Sequence, residues 1–296
     1  MEQSTLQFDC LLFDLDDTLY PSSTGIATAC RKNIDEFLAQ VFGFSREVVP
    51  SLRTQFYKTN GSTLAGLRKL GYEVDADEYH SFVHGNLPYE VIEADPALRS
   101  ILMSMPQRKL VFTNSDKIHA CKALKRLGLE DCFEDIICFE SLNMAYPFNQ
   151  QIDECKPSTS PVFIKPSIEA MKRAITIANV DPQRTLFFDD NVRNIAGAKE
   201  AGLNTVLVGS SVKNEGADYA LESIHNVREV IPEIWIETTK YVGCDEFGSS
   251  IAEVHSIEAT PVPEIWVETT KYIGCDKFGD SIAEVNSIEA TPVVVT

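Results

Sequence analysis

The order of apolar and polar positions divides the chain into three unlike stretches. A short apolar run over residues 8 to 13 stops against Asp14, Asp16 and Asp17, the profile of a buried strand with an acidic end. A helical stretch follows. Between Ile26 and Phe42, residues Ile34, Phe37, Leu38 and Val41 fall at i, i+3, i+4 and i+7, the spacing of one helix face. Further helices are predicted around Val48–Tyr57, Thr63–Leu70 and Asp77–Val83, with Ser62 or Thr63 as an N-cap and Gly71 as a C-cap of the second. No strand pattern occurs between about residues 20 and 108.

From residue 108 onward, strands alternate with helices. "KLVFTNSD" reads as a strand entering a polar turn, "HACKALKRLGL" as a helix ending near Gly128, and "DIICFES" as a strand. A loop rich in Pro, Ser and Asn covers about residues 143 to 164, longer than most connections within a domain. "SIEAMKRAITIANV" is then a helix, "TLFFDD" a strand, "NVRNIAGAKEAG" a helix and "NTVLVG" a strand. This alternation implies βαβ units and a mostly parallel, Rossmann-like sheet. The fold class is therefore α/β, with a core over residues 8–20 and 93–231 and an inserted helical domain over 21–92.

Residues 232–296 form the third stretch, an internal repeat. "PEIWIETTKYVGCDEFGSSIAEVHSIEATPV" begins at Pro232 and returns at Pro263, so the period is 31 residues. The copies differ only at 236/267, 242/273, 246/277, 249/280 and 255/286. Two copies are too few for a self-supporting solenoid. With 12 acids and 3 lysines this stretch has a net charge of −9, so a solvated, weakly ordered tail is expected. Trp235 and Trp266, as copies of one residue, carry no independent signal.

The whole chain has a net charge of −18, which opposes binding to a nucleic-acid polymer or an anionic membrane surface. Small anionic substrates stay open, because a local cation can reverse the sign of the field at a site. The 8 cysteines form no C-x-x-C pair, as in reduced proteins of the cytosol. Without a signal-peptide pattern or a long apolar run, the expected location is cytosol, or cytosol plus nucleus.

The acidic strand end needs compensation. In a strand, Asp14 and Asp16 would share one side and Asp17 the other. Two carboxylates at one site need a cation, a shared proton or separate chemical tasks. Magnesium suits hard carboxylate oxygens and commonly acts beside a phosphate group. "TLFFDDN" supplies a second acidic strand end, Asp189 and Asp190, and strand ends meet at one crevice in a doubly wound sheet. "VFTNSD" adds Thr113 and Asn114, both able to hydrogen-bond an anionic oxygen, and "VFIKPSIEAMK" adds Lys165 before a helix with Pro166 in its first turn. The similar Cys155-Lys156-Pro157-Ser158 has no helix directly after it, which favours Lys165. His80 and His84 lie at i, i+4 but have no third ligand nearby, so a solvated or core pair is expected.

"FDLDDTL", "FTNS", "IKPS" and "FFDD", in this order, resemble the four signature motifs of the haloacid dehalogenase superfamily of phosphohydrolases. The resemblance covers about residues 8 to 230, including a helical cap inserted after the first motif. "TLYPSSTGI", "LAGL" and "DADEYHSFVH" are similar to its pyrimidine 5′-nucleotidase group, which includes a yeast suppressor of disruption of a transcription elongation factor. The resemblance implies that Asp14 is the nucleophile and Asp16 the general acid and base. It implies that Asp14, the Asp16 carbonyl and Asp190 hold Mg²⁺, and that Thr113, Asn114 and Lys165 bind the phosphoryl group. Asp189 would orient Lys165 or support the metal shell, and Asn194 stands where many relatives carry a further acid. Substrate contacts would come from Ser22, Ser23 and Thr24 and from Tyr57, Leu64 and His80.

The implied activity is hydrolysis of UMP or CMP to nucleoside and phosphate. One alternative is a phosphatase or mutase for a small sugar phosphate. Another, of a different class, is a non-catalytic protein that recruits a partner through its acidic tail.

Overall fold

The computed structural model describes residues 3–143, 161–244 and 250–258, with side chains over 6–143 and 161–236. The elements run β1 (Gln3–Leu6), β2 (Cys10–Phe13), α1 (Ile26–Phe42), α2 (Val49–Asn60), α3 (Thr63–Lys69), α4 (Ala76–Gly85) and α5 (Pro96–Ser104). They continue as β3 (Arg108–Phe112), α6 (Lys117–Leu127), β4 (Asp135–Ile137), α7 (Phe139–Asn143), α8 (Ile168–Ala178), β5 (Thr185–Asp189) and α9 (Val192–Glu200). The last are β6 (Asn204–Val208), β7 (Tyr219–Leu221), α10 (Val227–Val230), β8 (Ile236–Cys244) and β9 (Ser250–Glu258).

Six strands form a sheet in the order β4-β3-β2-β5-β6-β7, and every neighbouring pair is parallel. β2 is central, pairing with β3 on one side and β5 on the other. Its four residues are all buried, as a strand covered on both faces must be. Leu11 and Phe13 enter one apolar cluster, with Leu98 of α5 and Leu124 of α6. Cys10 and Leu12 enter the other, with Met171 of α8 and Ile195 of α9. The two-residue alternation of the strand thus feeds two separate layers of helix.

Helices α1 to α4 lie between β2 and β3 in sequence. They form a third cluster around Phe37, Leu38, Phe56, Leu67 and Val83, joined by Phe139 and Ile164 from the remainder of the chain. Each helix ends where its sequence allows. The Ser62 side chain caps α3 by accepting from Ala65 N, and Asp75 caps α4 by accepting from Glu78 N. Gly43 closes α1 in the left-handed conformation. On α1 the expected face is only partly covered: Phe37 and Leu38 are buried, whereas Val41 is 48 % exposed. Among the described residues no strand occurs between β2 and β3, and no helix is long and apolar enough to cross a membrane.

Three features differ from the sequence reading. The strand expected from "DIICFES" stops at Ile137, because Phe139 opens α7. A short strand β1 pairs antiparallel with β8, and β8 pairs with β9. The start of the first repeat is packed against the sheet domain: Ile234 and Trp235 join the cluster of Leu11 and Phe13. Cys155 to Ser158, and the second repeat from Pro263, lie outside the described residues.

Candidate active site

Three neighbouring strands end in polar residues, and their carboxyl ends meet where the strand order reverses about β2. Asp14 follows β2 directly, and its backbone N–H donates to Phe188 O at 2.8 Å. Thr113 follows β3, Asp189 ends β5 and Asp190 follows it directly. Lys165 arrives from the segment before α8. Asn114 fixes that segment with a reciprocal pair: Lys165 N donates to Asn114 Oδ1 at 2.8 Å, and Asn114 Nδ2 donates to Lys165 O at 2.9 Å. The Lys165–Pro166 peptide is cis.

The Lys165 ammonium is 1 % exposed. It donates to Asp14 Oδ1 at 2.7 Å, Asp189 Oδ2 at 2.7 Å and Phe112 O at 2.8 Å, so all three of its hydrogens are engaged. Asp189 is held further by Asn194 Nδ2, 3.0 Å from each carboxylate oxygen, and by Asn191 N at 2.9 Å. Asp190 receives no such cradle; its backbone N–H donates to Thr18 Oγ1 at 3.1 Å. Thr113 Oγ1 accepts from Ser115 N at 3.1 Å.

Asp16 has a different setting. Its Oδ1 accepts from the Tyr20 hydroxyl and lies 2.7 Å from His119 Nε2, and its Oδ2 accepts from Ser115 Oγ at 2.9 Å. Tyr20 lies in "TLYPSSTGI" and Ser115 ends "FTNS", although neither motif assigns these residues a role, and His119 is marked by no motif. The only local signal is that Asp116 caps α6 and so fixes His119 three residues on, through His119 N donating to Asp116 Oδ1 at 3.0 Å.

The charges respond to these surroundings. Burial, together with Asp189 and Asp16, pushes the Asp14 carboxyl well above the usual range against the pull of Lys165. Burial opposes the charge of Lys165, but Asp14 and Asp189 outweigh it and raise the ammonium above its ordinary value. Burial and the carboxylates of Asp189 and Asp17 push Asp190 up to about 7. Burial acts upward on Asp16 too, yet His119 and Tyr20 overcome it and leave this carboxyl below its ordinary value.

Asp14, Asp189 and Asp190 each offer a carboxylate oxygen within 4.8 Å of the others, the only such metal-capable group among the described residues. One ammonium is shared by Asp14 and Asp189, with Asp190 beside them, and burial together with the neighbouring carboxylates pushes Asp14 and Asp190 toward protonation. An all-oxygen donor set with surplus negative charge fits a hard divalent cation.

A cavity of about 630 Å³ opens over this group, between the strand ends and the helices α1 to α4. Tyr57, Leu64 and His80 line it, together with Tyr79 and Phe139. Ser22, Ser23 and Thr24 do not; they line a second cavity of about 690 Å³ beyond Asp17. Asp17 itself borders both cavities. Strand alternation had placed it on the far side, but β2 ends at Phe13 and Asp17 turns back with φ 61°. His80 and His84 stack with ring centroids 5.7 Å apart, and His84 Nδ1 pairs with Asp116 rather than with a metal-ligand set.

Comparison with known proteins agrees with this layout. Over 206 residues the chain is 28 % identical to phosphate metabolism protein 8 of Saccharomyces cerevisiae, spanning 66 % of this chain and 60 % of the yeast protein. It is 24 % identical over 236 residues to a glyceraldehyde 3-phosphate phosphatase of Methanocaldococcus jannaschii, covering 75 % and 94 % of the two chains. Among solved structures, CbbY from Rhodobacter sphaeroides in complex with phosphate superposes with a TM-score of 0.51 at 17 % identity, covering 74 % of this chain and 96 % of that one. The family model for haloacid dehalogenase-like hydrolases matches residues 8–202. With its strand-end carboxylates and buried lysine in that matched segment, the chain belongs to the haloacid dehalogenase-like hydrolases.

Proposed function

We propose that this protein is a magnesium-dependent phosphomonoesterase that works through an aspartyl-phosphate on Asp14, with UMP and CMP as its substrates. The observation that carries the reading is the shared contact of Lys165 with Asp14 and Asp189 at 2.7 Å each, in a cavity that also holds Asp16 and Asp190. A phosphoryl group attached to Asp14 would come within reach of that ammonium and of Thr113.

In this reading one Asp14 oxygen attacks phosphorus and the bond to the ester oxygen breaks. Asp16, which must carry a proton at this step against the pull of His119 and Tyr20, gives it to the leaving alkoxide, which departs as an alcohol. Asp16 then takes a proton from water, whose oxygen attacks the acyl phosphate and releases inorganic phosphate and free Asp14. Mg²⁺ held by Asp14, the Asp16 carbonyl and Asp190 would offset the repulsion between nucleophile and phosphate. Asn114 serves through Lys165, whose backbone it holds. Asp189 orients the Lys165 ammonium, and Asn194 orients Asp189.

The helices of residues 21–92 act as a cap over a core of residues 8–20 and 93–231, with residues 232–296 as a tail whose first residues, Ile234 and Trp235, pack on the core. The pyrimidine preference rests on the likeness of "LAGL" and "DADEYHSFVH" to nucleotidases, and on ring surfaces such as Tyr57 and Phe139 against which a base can stack. A second reading, a small sugar phosphate as substrate, is favoured by the name of the archaeal relative.

The test is phosphate release from UMP, CMP, AMP, GMP and sugar phosphates, with Mg²⁺ and with EDTA, beside Asp14→Asn. Magnesium-dependent release from UMP or CMP, lost in Asp14→Asn, is expected. Release from sugar phosphates alone would keep the chemistry and replace the substrate. No release from any compound would sink the enzymatic reading in favour of a partner-binding role for the acidic tail.

A further inference from the structure

His119 is a buried titratable residue with no part in the chemistry above. It is 2 % exposed, and both of its ring nitrogens have partners. Nε2 lies 2.7 Å from Asp16 Oδ1, and Nδ1 lies 2.9 Å from the Tyr89 hydroxyl. That hydroxyl also donates to His84 O at 3.1 Å, at the end of α4. The His84 ring lies against the His119 ring with centroids 4.8 Å apart, and the His119 backbone is tied to the cap of α6. The imidazole is thereby held at two edges, on one face and at its root.

Asp16 needs such a support. It lies beyond the end of β2, in a turn, where no strand ladder fixes its direction. Two of its partners, Tyr20 and Ser115, are hydroxyls that can rotate about their C–O bonds. The ring nitrogen of His119 has one direction only. Oδ1 takes both Tyr20 and His119, while Oδ2 takes Ser115 alone. Oδ2 is therefore the oxygen with acceptor capacity to spare, and Asp16 borders the cavity. A general acid works only within hydrogen-bond reach of the leaving oxygen, and a rigid supporting layer is what sets that distance.

We propose that His119, oriented by Tyr89, is the positioning residue that aims Asp16 Oδ2 at the leaving-group oxygen. The inference rests on the reading of Asp16 as general acid. It differs from a packing role, which would need the volume of the ring and not its nitrogens.

The test is kcat/KM for a series of substituted phenyl phosphates, from phenyl to 4-nitrophenyl, on the full chain with Mg²⁺. These esters share the phenyl phosphate frame and differ chiefly in how much their leaving oxygen needs a proton. The wild type is expected to show a shallow dependence on leaving-group pKa, and Asp16→Asn a steep one. His119→Phe keeps the volume and loses both nitrogens. It is expected to widen the 4-nitrophenyl to phenyl ratio by about tenfold, part of the effect of a lost acid. His119→Gln, which can still offer an amide hydrogen to Asp16, is expected to restore part of the shallow slope. If His119→Phe does not fold, Tyr89→Phe decides, with a smaller steepening expected. A uniform fall across the series, with the slope unchanged, would overturn the proposal and leave His119 a packing residue. A shallow slope in Asp16→Asn would instead overturn the reading of Asp16 as the acid.

Discussion

Gly197 of α9 lies so close to the Pro166 carbonyl that a β-carbon built on it would stand 2.3 Å from that oxygen. Pro166 follows Lys165, so the helix that carries Asn194 also backs the segment that carries the lysine. Only a glycine permits this approach. Gly197→Ala must therefore push α9 and the lysine segment apart. The expected cost is about 1–3 kcal/mol in stability, and displacement of Lys165 should lower kcat/KM by about a hundredfold. Gly85→Ala is the control, because its new β-carbon would meet only Ser81 Oγ, at 4.0 Å. Thermal melts and phosphate release on both variants check this, and a Gly197→Ala protein indistinguishable from wild type would refute it.

Removing the Lys165 charge isolates its electrostatic role. Lys165→Met leaves Asp14 and Asp189 buried side by side without their shared cation. Breaking a buried pair in this way costs about 3–5 kcal/mol. Adding Asp189→Asn removes one of the stranded charges, so the double variant should be more stable than Lys165→Met alone. Chemical denaturation of the four proteins in EDTA supplies the cycle. A double variant less stable than Lys165→Met would show that Asp189 contributes through other contacts.

His80 makes the fold acid-sensitive. Burial, His84, Arg68 and His119 act to lower its pKa from 6.5 to about 4, and Asp116 only partly opposes them. The folded form thus binds this proton less readily than the unfolded chain does. The contribution of His80 is complete above pH 6.5 and is lost as pH falls from 6.5 toward 4, a loss of up to about 3 kcal/mol. His80→Phe, beside Phe139 with which the ring already packs at 4.5 Å, should flatten stability over that interval. Parallel pH–stability curves for the two proteins would count against it.

Much of this architecture is legible in the sequence because local signals and tertiary structure agree. The unbroken apolar run of β2 announces a strand covered on both faces, and Lys165 is marked by the helix start that follows it. What could not be read depends on where an element stops or on distant contacts. Asp17 borders the cavity because β2 ends at Phe13, so strand alternation no longer governs the residues after it. Ser22 to Thr24 form a short 3₁₀ turn on the far side of Asp17, away from the strand ends. His119 meets Asp16 across 103 residues, and nothing in its own neighbourhood foretells that partner.

Trp235 is concealed in another way, by its copy. In sequence it looks like one of two interchangeable residues in an acidic repeat, yet it is 7 % exposed and anchored on α5. Its Nε1 donates to Ser104 O at 2.9 Å, the Arg228 guanidinium lies 5.0 Å from its ring centre, and Gln107 Nε2 donates to the carbonyl of Ile234 at 2.5 Å. A chain cut after Ile231 loses these contacts, whereas one cut after Ile236 keeps them. The first truncation, and Trp235→Ala in the full chain, should each cost about 3 kcal/mol or more, which for a domain of this size lowers Tm by about 6 °C or more. The second truncation should melt near the full-length chain. Gln107 immediately precedes β3, while Thr113 and the carboxylates stand at the opposite ends of the strands. Turnover per folded molecule should therefore survive in all three proteins, and a loss of kcat/KM in Trp235→Ala below its melting range would mean that the two ends of the sheet are coupled.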